Sequence, residues 1–413
     1  MATASVLSIG TEITRGELVN TNASYLAEGL TARGFEVTEI CTVDDDAPRI
    51  EACLARLGGS CDVIVSTGGL GPTTDDITTE CVARLLGVPL RRDPESFAIL
   101  EQPLRDFGRS VSASNAKQTD FPVGASVLPN PNGSAPGFCV RIARALAFFM
   151  PGVPREMKPM FESSVLPAVA PLVDVASHQI HLQTFGLPES EANDRLAGVE
   201  AQFGVLIGYR VSMPVLEIKV LARDASASVA ETRARTAADE VRRRLGDVVY
   251  AEGHATLPEV LGAELKSRGL RLACAESCTG GLVGELLTDR PSASEFFAGS
   301  AVVYENRQKT RLLGVDAALI EQHGAVSEPV ARAMAEGALR VFEVDVALAI
   351  TGIAGPGGGT ETKPVGLVHY AVATPRGTTA RSFVFVRDRY MVRRRAAFAA
   401  LDLAHRVIRQ GHP

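Results

Sequence analysis

The alternation of strand and helix at the start of the chain constrains its fold more than any other feature. Three apolar segments have strand character, namely Ser5–Ile9, Phe35–Val43 and Asp62–Ser66. Helical patterns separate them, at about Asn22–Arg33 and at Pro48–Gly59, where two glycines predict the helix end. This order predicts a parallel sheet with right-handed crossovers. Ligands of such sheets bind where the strands end.

A glycine-rich loop, STGGLGPTTDD at residues 66–76, follows the third strand. Gly68, Gly69 and Gly71 allow the backbone to approach a phosphate. Asp75 and Asp76 can hold a hard divalent cation that bridges to the phosphate. The alternative interpretation is a turn followed by an acidic helix start, which is common.

Further polar loops come mostly just after strand candidates. They read GTE at residues 10–12, NAKQ at 115–118, NPNGSAPG at 130–137 and PGVPREM at 151–157. Their convergence predicts one ligand site at one end of the sheet.

The pattern changes between about residues 175 and 250. Strand candidates at His178–Phe185, Val205–Val211, Val215–Ala222 and Asp247–Tyr250, with two helices, predict a small α+β module. This segment has slightly more acidic than basic residues and lacks the Gly-x-x-Gly loop with which KH domains clamp RNA. The pattern therefore favours a spacer or dimer-forming role over RNA binding.

The third segment carries a serine at a predicted strand-to-helix junction, in AESCTGG at residues 275–281. A helix N-terminus there can stabilise an oxyanion, which favours Ser277 as a nucleophile. A helix-capping serine is the alternative. No histidine after residue 253 lies in a motif loop and the G-x-S-x-G elbow is missing, so the pattern disfavours a Ser-His-Asp hydrolase.

Three more motifs accompany this serine. YENRQK at residues 304–309 offers Lys309 or Tyr304 as the proton acceptor, although a surface ion pair between Glu305 and Lys309 is the simpler interpretation. TGIAGPGGG at residues 351–359, followed by KPVG, has the character of a ligand loop. Arg389 and Arg393, one helical turn apart, can grip a phosphate, with solvated arginines as the alternative.

Composition excludes several classes of function. The net charge of -6 gives no basic field for nucleic acid, and no run of eighteen apolar residues predicts a membrane span. The first residues lack the basic region of a signal peptide, so we expect a cytoplasmic protein. Its seven cysteines have no zinc-site spacing and are expected to be reduced.

In order and spacing these motifs, with GTEITRGELVNTN and DRYMVR, resemble the competence/damage-inducible protein A (CinA) family over nearly the whole chain. The resemblance implies an α/β molybdopterin-binding-like domain at residues 1–172. It further implies an α+β linker or dimerisation module at residues 173–252 and an α/β amidase domain at residues 253–413. We expect a homodimer, the commonest closed assembly.

For the N-terminal domain, the resemblance implies hydrolysis of ADP-ribose with a divalent metal (magnesium, manganese or cobalt), with potassium as a further candidate cation. Asp75 and Asp76 would hold the metal or phosphate. The other site residues implied are Asn20, Asn115, Lys117, Gln118, Asn132 and, from the middle module, Glu189. A carboxylate favoured by a helix dipole is an equally good interpretation of Glu189.

For the C-terminal domain, the resemblance implies a nicotinamide-nucleotide amidase of pyridine-nucleotide recycling that needs no metal. Ser277 would be the nucleophile and Lys309 or Tyr304 its activating group. Thr351 and Gly352 would bind or polarise the substrate, whereas Arg389 or Arg393 would meet the phosphate. Backbone N–H groups of Thr279, Gly280 and Gly281, or near Gly352, would stabilise the oxyanion, and Gly355 belongs to the ligand loop.

Two positions depart from the family pattern: Arg387 replaces a glycine, and Glu305 replaces a small polar residue. Other functions stay open. The first domain can instead bind molybdopterin or transfer an adenylyl group, and the chain can be a non-enzymatic scaffold for DNA uptake or recombination. A chain with one functional site is a third alternative.

Overall fold

A computed structural model describes residues 2–106 and 110–411. The chain forms two compact units, residues 1–179 with 222–232 and residues 180–221 with 233–413. None of the helices in the described ranges is long and apolar enough to cross a membrane.

The first unit is built around a six-stranded sheet. The described part of this unit contains eight strands, six of them in that sheet: β1 Thr3–Ile9, β2 Glu36–Val43, β3 Val63–Thr67, β4 Leu90–Arg92, β5 Asp120–Pro122, β6 Ser126–Leu128, β7 Gly137–Ile142 and β8 Ala145–Met150. Its helices are α1 Thr11–Thr14, α2 Thr21–Ala32, α3 Ala47–Ser60, α4 Thr78–Leu86, α5 Pro94–Asp106, α6 Ala113–Ala116, α7 Pro154–Met160 and α8 Leu166–Val169.

The strand order of this sheet is β2-β1-β3-β8-β7-β6, while β4 and β5 pair separately. The first four strands are parallel, which confirms the expected parallel-rich α/β fold. Strands β7 and β6 add an antiparallel edge that the pattern did not predict. Only Ala143 and Arg144 separate β7 from β8, and so short a connection can make only a hairpin.

Helix α3 runs through Gly58 and Gly59 to Ser60, so these glycines do not end it. A Cβ on Gly58 would lie 2.8 Å from the Ile142 carbonyl oxygen. The glycine therefore allows α3 to pack closely on β7.

The chain from residue 176 to 252 forms the small α+β module. It contains β9 Ala176–Phe185, α9 Glu189–Arg195, α10 Val199–Phe203, β10 Val205–Ser212, β11 Val215–Asp224, α11 Ala227–Leu245 and β12 Val249–Glu252. Its strand order is β10-β11-β9-β12, and β12 runs antiparallel to β9.

The remaining elements form a five-stranded α/β layer. They are α12 Leu257–Ser267, β13 Leu272–Glu276, α13 Leu282–Thr288, β14 Phe297–Val302, α14 Asn306–Leu313, α15 Ala317–His323, α16 Glu328–Phe342, β15 Val346–Gly352, β16 Leu367–Thr374, β17 Gly377–Val384 and α17 Arg389–Arg409. The order is β14-β13-β15-β16-β17, with the first three strands parallel and the last two antiparallel.

Helices cover both faces of this sheet. Helices α12, α13 and α17 bury one apolar cluster, and α16 buries another on β13, β15 and β16. A capping box fixes the start of α12, because the Thr256 N–H donates to Glu259 Oε2 at 2.7 Å and the Thr256 side chain accepts a backbone N–H of the first turn. The buried faces leave the strand ends as the places where polar loops gather.

Candidate functional sites

A cavity of about 580 Å³ opens in the first unit where β1, β3 and β8 end. The predicted residues that line it are Asn20, Gly68, Gly69, Gly71, Asp75, Asp76 and Gln118. Lys117 lines a smaller adjoining cavity. Asn115 and Asn132 are not among the residues that line either cavity.

Two glycines of the loop after β3 are required by close packing. Gly68 has φ +105° and a Cβ there would lie 1.9 Å from the Ile9 carbonyl oxygen. Gly69 has φ +68° and a Cβ there would lie 2.1 Å from Thr78 Oγ1. No larger side chain fits, so the loop can lie directly against β1 and α4 and form the cavity floor.

The two aspartates lie in a turn before α4, which begins at Thr78, and not within the helix. Thr73 donates its N–H (2.9 Å) and its hydroxyl (2.6 Å) to Asp76 Oδ2. Its hydroxyl also contacts Asp75, and that hydrogen bond lowers the pKa of the exposed Asp75 carboxyl. Lys117 Nζ donates to the Asp76 carbonyl oxygen at 2.9 Å and so fastens the turn.

The cavity is strongly acidic. Among the residues that the structure describes, no lysine or arginine lines it, whereas five carboxylates do: Glu12, Asp45, Asp75, Asp76 and Glu156. Two buried side-chain oxygens at its wall, Asn22 Oδ1 and Gln118 Oε1, have no hydrogen-bond partner in the described part of the chain. These hard oxygen donors fit a divalent cation.

Other predicted residues brace this site. Asn20 caps α2 by accepting the Ala23 N–H at 3.1 Å and donates to Ser8 Oγ at 2.9 Å. Asn132 donates to the Arg155 carbonyl at 3.2 Å. Glu189 is the first residue of α9, where the helix dipole favours a carboxylate, and a role for it at the N-terminal site stays a prediction.

The sequence predicted no role for Asp45, and it placed Glu12, Asn22 and Glu156 in motifs without giving these residues individual roles. Asp45 accepts both the N–H and the hydroxyl of Thr11, each at 2.8 Å. The position of Asp45 in the sequence could have indicated that it belongs to this site, because it follows the end of β2 just as Gly10 follows the end of β1.

In the second unit, Ser277 lies at the end of β13, between β14 and β15. Its N–H donates to the Ile350 carbonyl at 3.0 Å, which fixes the turn to β15. Helix α13 begins only at Leu282, after an N-cap at Gly281. The capping interpretation of Ser277 is therefore wrong, and its hydroxyl is not used to cap that helix.

The carboxylate of Glu276 occupies the start of α13. This side chain is fully buried and accepts the N–H groups of Gly281 (2.9 Å), Val283 (3.1 Å) and Gly284 (2.9 Å). The Ser300 hydroxyl donates to it at 2.8 Å. No role for Glu276 could be predicted from the sequence, because an acidic residue at a strand end does not by itself indicate such burial.

This arrangement changes the expected oxyanion donors. The Gly281 N–H is committed to Glu276, and the Gly280 N–H donates to the Ser277 carbonyl at 3.1 Å. Within the described ranges, the N–H groups of Cys278 and Thr279 have no carbonyl or side-chain acceptor from another residue. The buried Thr279 hydroxyl also has no partner. Donors for an oxyanion therefore remain at residues 278 and 279.

Lys309 is 1% exposed, so the surface ion pair with Glu305 is wrong. Its Nζ donates to the carbonyls of Val303 (3.0 Å) and Tyr304 (3.1 Å). Burial lowers the pKa of its amine. The Val303 N–H in turn donates to the Glu276 carbonyl at 2.8 Å, so the lysine is attached to the strand end that carries the serine.

The two arginines of α17 hold the motif loops together. Arg393 donates to the Thr279 carbonyl at 2.6 and 3.2 Å. Arg389 donates to the Gly355 carbonyl at 2.7 Å and to the Tyr304 hydroxyl at 3.1 Å. Four motifs that are far apart in sequence thus meet at one site.

The remaining predicted residues are positioned by packing. The Thr351 hydroxyl is buried and donates to the Ala325 carbonyl at 2.8 Å. A Cβ on Gly352 would lie 2.8 Å from the Leu367 carbonyl oxygen, so β16 excludes a side chain there. Burial raises the pKa of the Cys278 thiol to about 12, which keeps this neighbour of the serine a thiol.

These features define a class of protein with two α/β parts, each with polar loops gathered at strand ends. Residues 5–171 match the probable molybdopterin binding domain family, residues 179–251 the damage-inducible protein CinA KH domain and residues 254–408 the CinA C-terminal domain. A "CinA-like protein" of Anaeromyxobacter sp. (strain Fw109-5) is 44% identical over 407 residues, 98% of both chains. The chain belongs to the CinA family.

Other similar proteins carry related names. A "CinA-like protein" of Geobacter sulfurreducens is 42% identical over 97% of this chain and 98% of its own. A solved structure of CinA from Thermoplasma acidophilum is 32% identical, with 41% of this chain and 98% of that chain covered at a TM-score of 0.38. A solved competence/damage-inducible protein from Agrobacterium tumefaciens is 36% identical, with 37% and 95% covered at a TM-score of 0.35.

Proposed function

We propose that the site around Ser277 hydrolyses the amide of nicotinamide mononucleotide to nicotinate mononucleotide and ammonia. One observation carries this proposal: a buried lysine with a lowered pKa is attached to the strand end of a serine turn that two arginines brace. This combination supplies a nucleophile, a base and a cationic contact for phosphate. The activity belongs to pyridine-nucleotide recycling.

In the proposed reaction, the Ser277 hydroxyl oxygen attacks the carboxamide carbon and its proton passes to Lys309. The neutral amine is suited to this, because two backbone carbonyls use two of its N–H groups and its lone pair remains. The N–H groups of Cys278 and Thr279 stabilise the oxyanion. Lys309 returns the proton to the leaving nitrogen as the C–N bond breaks, and water then hydrolyses the acyl-serine to release the acid.

Arg389 is the better candidate for the phosphate. Both Arg393 contacts go to the Thr279 carbonyl, so Arg393 supports the serine turn. Arg389 instead holds the two motif loops, with Gly355 on one and Tyr304 on the other, and its guanidinium is part-buried at the contact with Gly355. Tyr304 accepts a hydrogen bond from this arginine, which favours Lys309 over Tyr304 as the base.

For the first unit we propose hydrolysis of ADP-ribose at its pyrophosphate. The acidic cavity supports this proposal because it fits a divalent metal held by Asp75 and Asp76, with Gln118 and Asn22 offering further oxygens. When bound, the metal would neutralise the pyrophosphate and polarise its phosphorus–oxygen bonds. Lys117 keeps the aspartate turn in place.

The amidase proposal is tested by ammonia release from nicotinamide mononucleotide in the presence of EDTA. We expect the wild-type chain to release ammonia and Ser277→Ala to lose this activity. Ser267→Ala, which changes a serine at the end of α12 that bonds only the Glu264 carbonyl, is the matched control. Unchanged activity in Ser277→Ala would remove the serine mechanism.

A molybdopterin-binding function of the first unit is the alternative, and the matching family carries that description. Tight binding of molybdopterin without turnover of ADP-ribose would favour it. Turnover of ADP-ribose that depends on added metal and is lost in Asp76→Asn would favour the pyrophosphatase.

A further inference from the structure

Two histidines and a glutamate meet on the sheet of the middle module, outside both proposed active sites. His181 lies on β9 and Glu217 on β11, while His254 lies in the segment between β12 and α12. The side-chain ligand atoms of all three lie within 4.8 Å of one another. Within the described ranges, no other group of three or more histidine, cysteine or acidic side chains meets this criterion.

The spacing suits a tetrahedral metal. Bonds of about 2.0–2.2 Å from zinc to histidine nitrogen or carboxylate oxygen place neighbouring ligand atoms about 3.4 Å apart. Glu217 Oε1 lies 3.0 Å from His181 Nδ1 and 3.7 Å from His254 Nδ1, one distance on each side of that value. The centroids of the two imidazole rings lie 4.5 Å apart, and the Nδ1 atoms of both rings face the same oxygen, Glu217 Oε1.

The surroundings orient the carboxylate. Gln183 Nε2 donates to Glu217 Oε1 at 3.1 Å and to the Gly253 carbonyl at 2.8 Å. The second carboxylate oxygen, Oε2, lies 3.8 Å from Lys219 Nζ and 4.0 Å from an Arg210 nitrogen. Oε2 therefore faces the two cationic side chains and Oε1 faces the two histidines. In metal sites, neighbouring side chains often orient a carboxylate in this way, so that it binds the metal through one oxygen.

We propose that His181, Glu217 and His254 bind one zinc ion, with a fourth position open to water. The His254 side chain is 72% exposed, which leaves the metal accessible from solvent. The zinc would join the segment after β12 to the faces of β9 and β11. The bound zinc would therefore stabilise the connection between β12 and α12.

The test is zinc binding by the full chain after removal of metals by dialysis against EDTA. Competition with a chromophoric chelator measures affinity, and the visible spectrum of the cobalt(II) form reports four-coordinate nitrogen and oxygen ligation. We expect one zinc bound by the wild-type chain, and affinity reduced more than about 100-fold in His254→Ala, beyond the range for loss of an outer partner. His178→Ala, a histidine on the same strand outside the cluster, is the matched control.

Each outcome decides the proposal. His254 is exposed, so its variant is expected to fold, and a raised melting temperature with zinc in wild type but not in His254→Ala would support the site. Asp76→Asn must leave this zinc in place, since it changes only the acidic cavity. Equal zinc affinity in wild type and His254→Ala, or no zinc binding by the metal-free wild-type chain, would leave the cluster a set of hydrogen-bonded side chains and overturn the proposal.

Discussion

At the scale of single residues, two buried ionisable groups decide the chemistry proposed for the serine site. Glu276 closes the start of α13 with four hydrogen bonds, and Lys309 is held by two backbone carbonyls. Burying either ion without partners would be costly. The carboxylate is stabilised by donors, whereas the lysine has only neutral acceptors and responds with a lowered pKa.

Replacing Lys309 separates activity from stability. We expect Lys309→Met to reduce ammonia release at least about 100-fold, because a general base contributes that much or more. Folding should persist, since methionine keeps most of the buried volume. Steady-state assays give the rate and circular dichroism the melting temperature. Lys266→Met, an exposed lysine on α12, should leave the rate unchanged, and an active Lys309→Met enzyme would contradict the assignment.

The pH profile of the amidase should follow the amine of Lys309. The base acts only when neutral, so the rate should rise with pH and reach a plateau above the pKa of this group. Because burial lowers that pKa, the midpoint of the rise should lie below the ordinary lysine value of about 10.4. Initial rates measured across pH check this, and a midpoint at or above the ordinary value would contradict it.

The sequence predicted which side chains meet at this site better than it predicted their environments. The sequence motifs identify the site residues directly, namely Ser277, Tyr304, Lys309, Arg389 and Arg393. The spacing of Glu305 and Lys309 is equally typical of a surface ion pair, and only the packing of α14 shows that the lysine points inward. Glu276 could not be assigned because its donors are backbone groups, which carry no signature in the side-chain sequence.

At the scale of elements, strand-end loops create both proposed catalytic sites. The period of apolar residues predicted the bounds of the strands and helices named from the sequence to within a few residues, since that period follows from strand and helix geometry. It could not predict the antiparallel edge of the first sheet, which depends on a two-residue connection. The prediction that α3 ends at Gly58 and Gly59 is wrong, because the sequence does not distinguish a glycine required for close packing from one that ends a helix.

Two glycines give a matched test of these requirements. Gly68→Ala should destabilise the first unit by more than about 2 kcal/mol, since it adds strain at positive φ and a clash with the Ile9 carbonyl. Gly59→Ala, on α3 with no atom within 4 Å of the added Cβ, should stabilise it by about 0.5–1 kcal/mol. The chain has no tryptophan, so urea unfolding is followed by circular dichroism. Equal destabilisation by both changes would refute the distinction.

At the scale of the whole molecule, two sites of opposite character occur in one chain. The first cavity is lined by five carboxylates, whereas the serine site presents two arginines and a buried lysine. The boundaries at residues 172 and 252 and the homodimer stay predictions. The family match spans almost the full length, so both sites belong to the same family architecture.

The two activities should therefore be separable. Asp76→Asn, or EDTA, should abolish ADP-ribose hydrolysis and leave ammonia release within about twofold of wild type. Ser277→Ala should do the reverse. Both rates are measured on the same preparation of each variant, with free magnesium fixed for the pyrophosphatase assay. Loss of ammonia release in EDTA would contradict the metal-independent serine mechanism.

The hydrogen bonds of Arg389 to the Gly355 carbonyl and the Tyr304 hydroxyl have a consequence for selectivity between nucleotides and nucleosides. These two contacts use one N–H each of Nη1 and Nη2, and a guanidinium carries five N–H donors, so three remain with which Arg389 could bind a phosphate while both contacts stay in place. The side chain is already ordered and loses little rotamer freedom on binding. A nucleoside without phosphate would leave those donors to water, so discrimination of nucleotide from nucleoside would depend on the two loops that hold Arg389 in position.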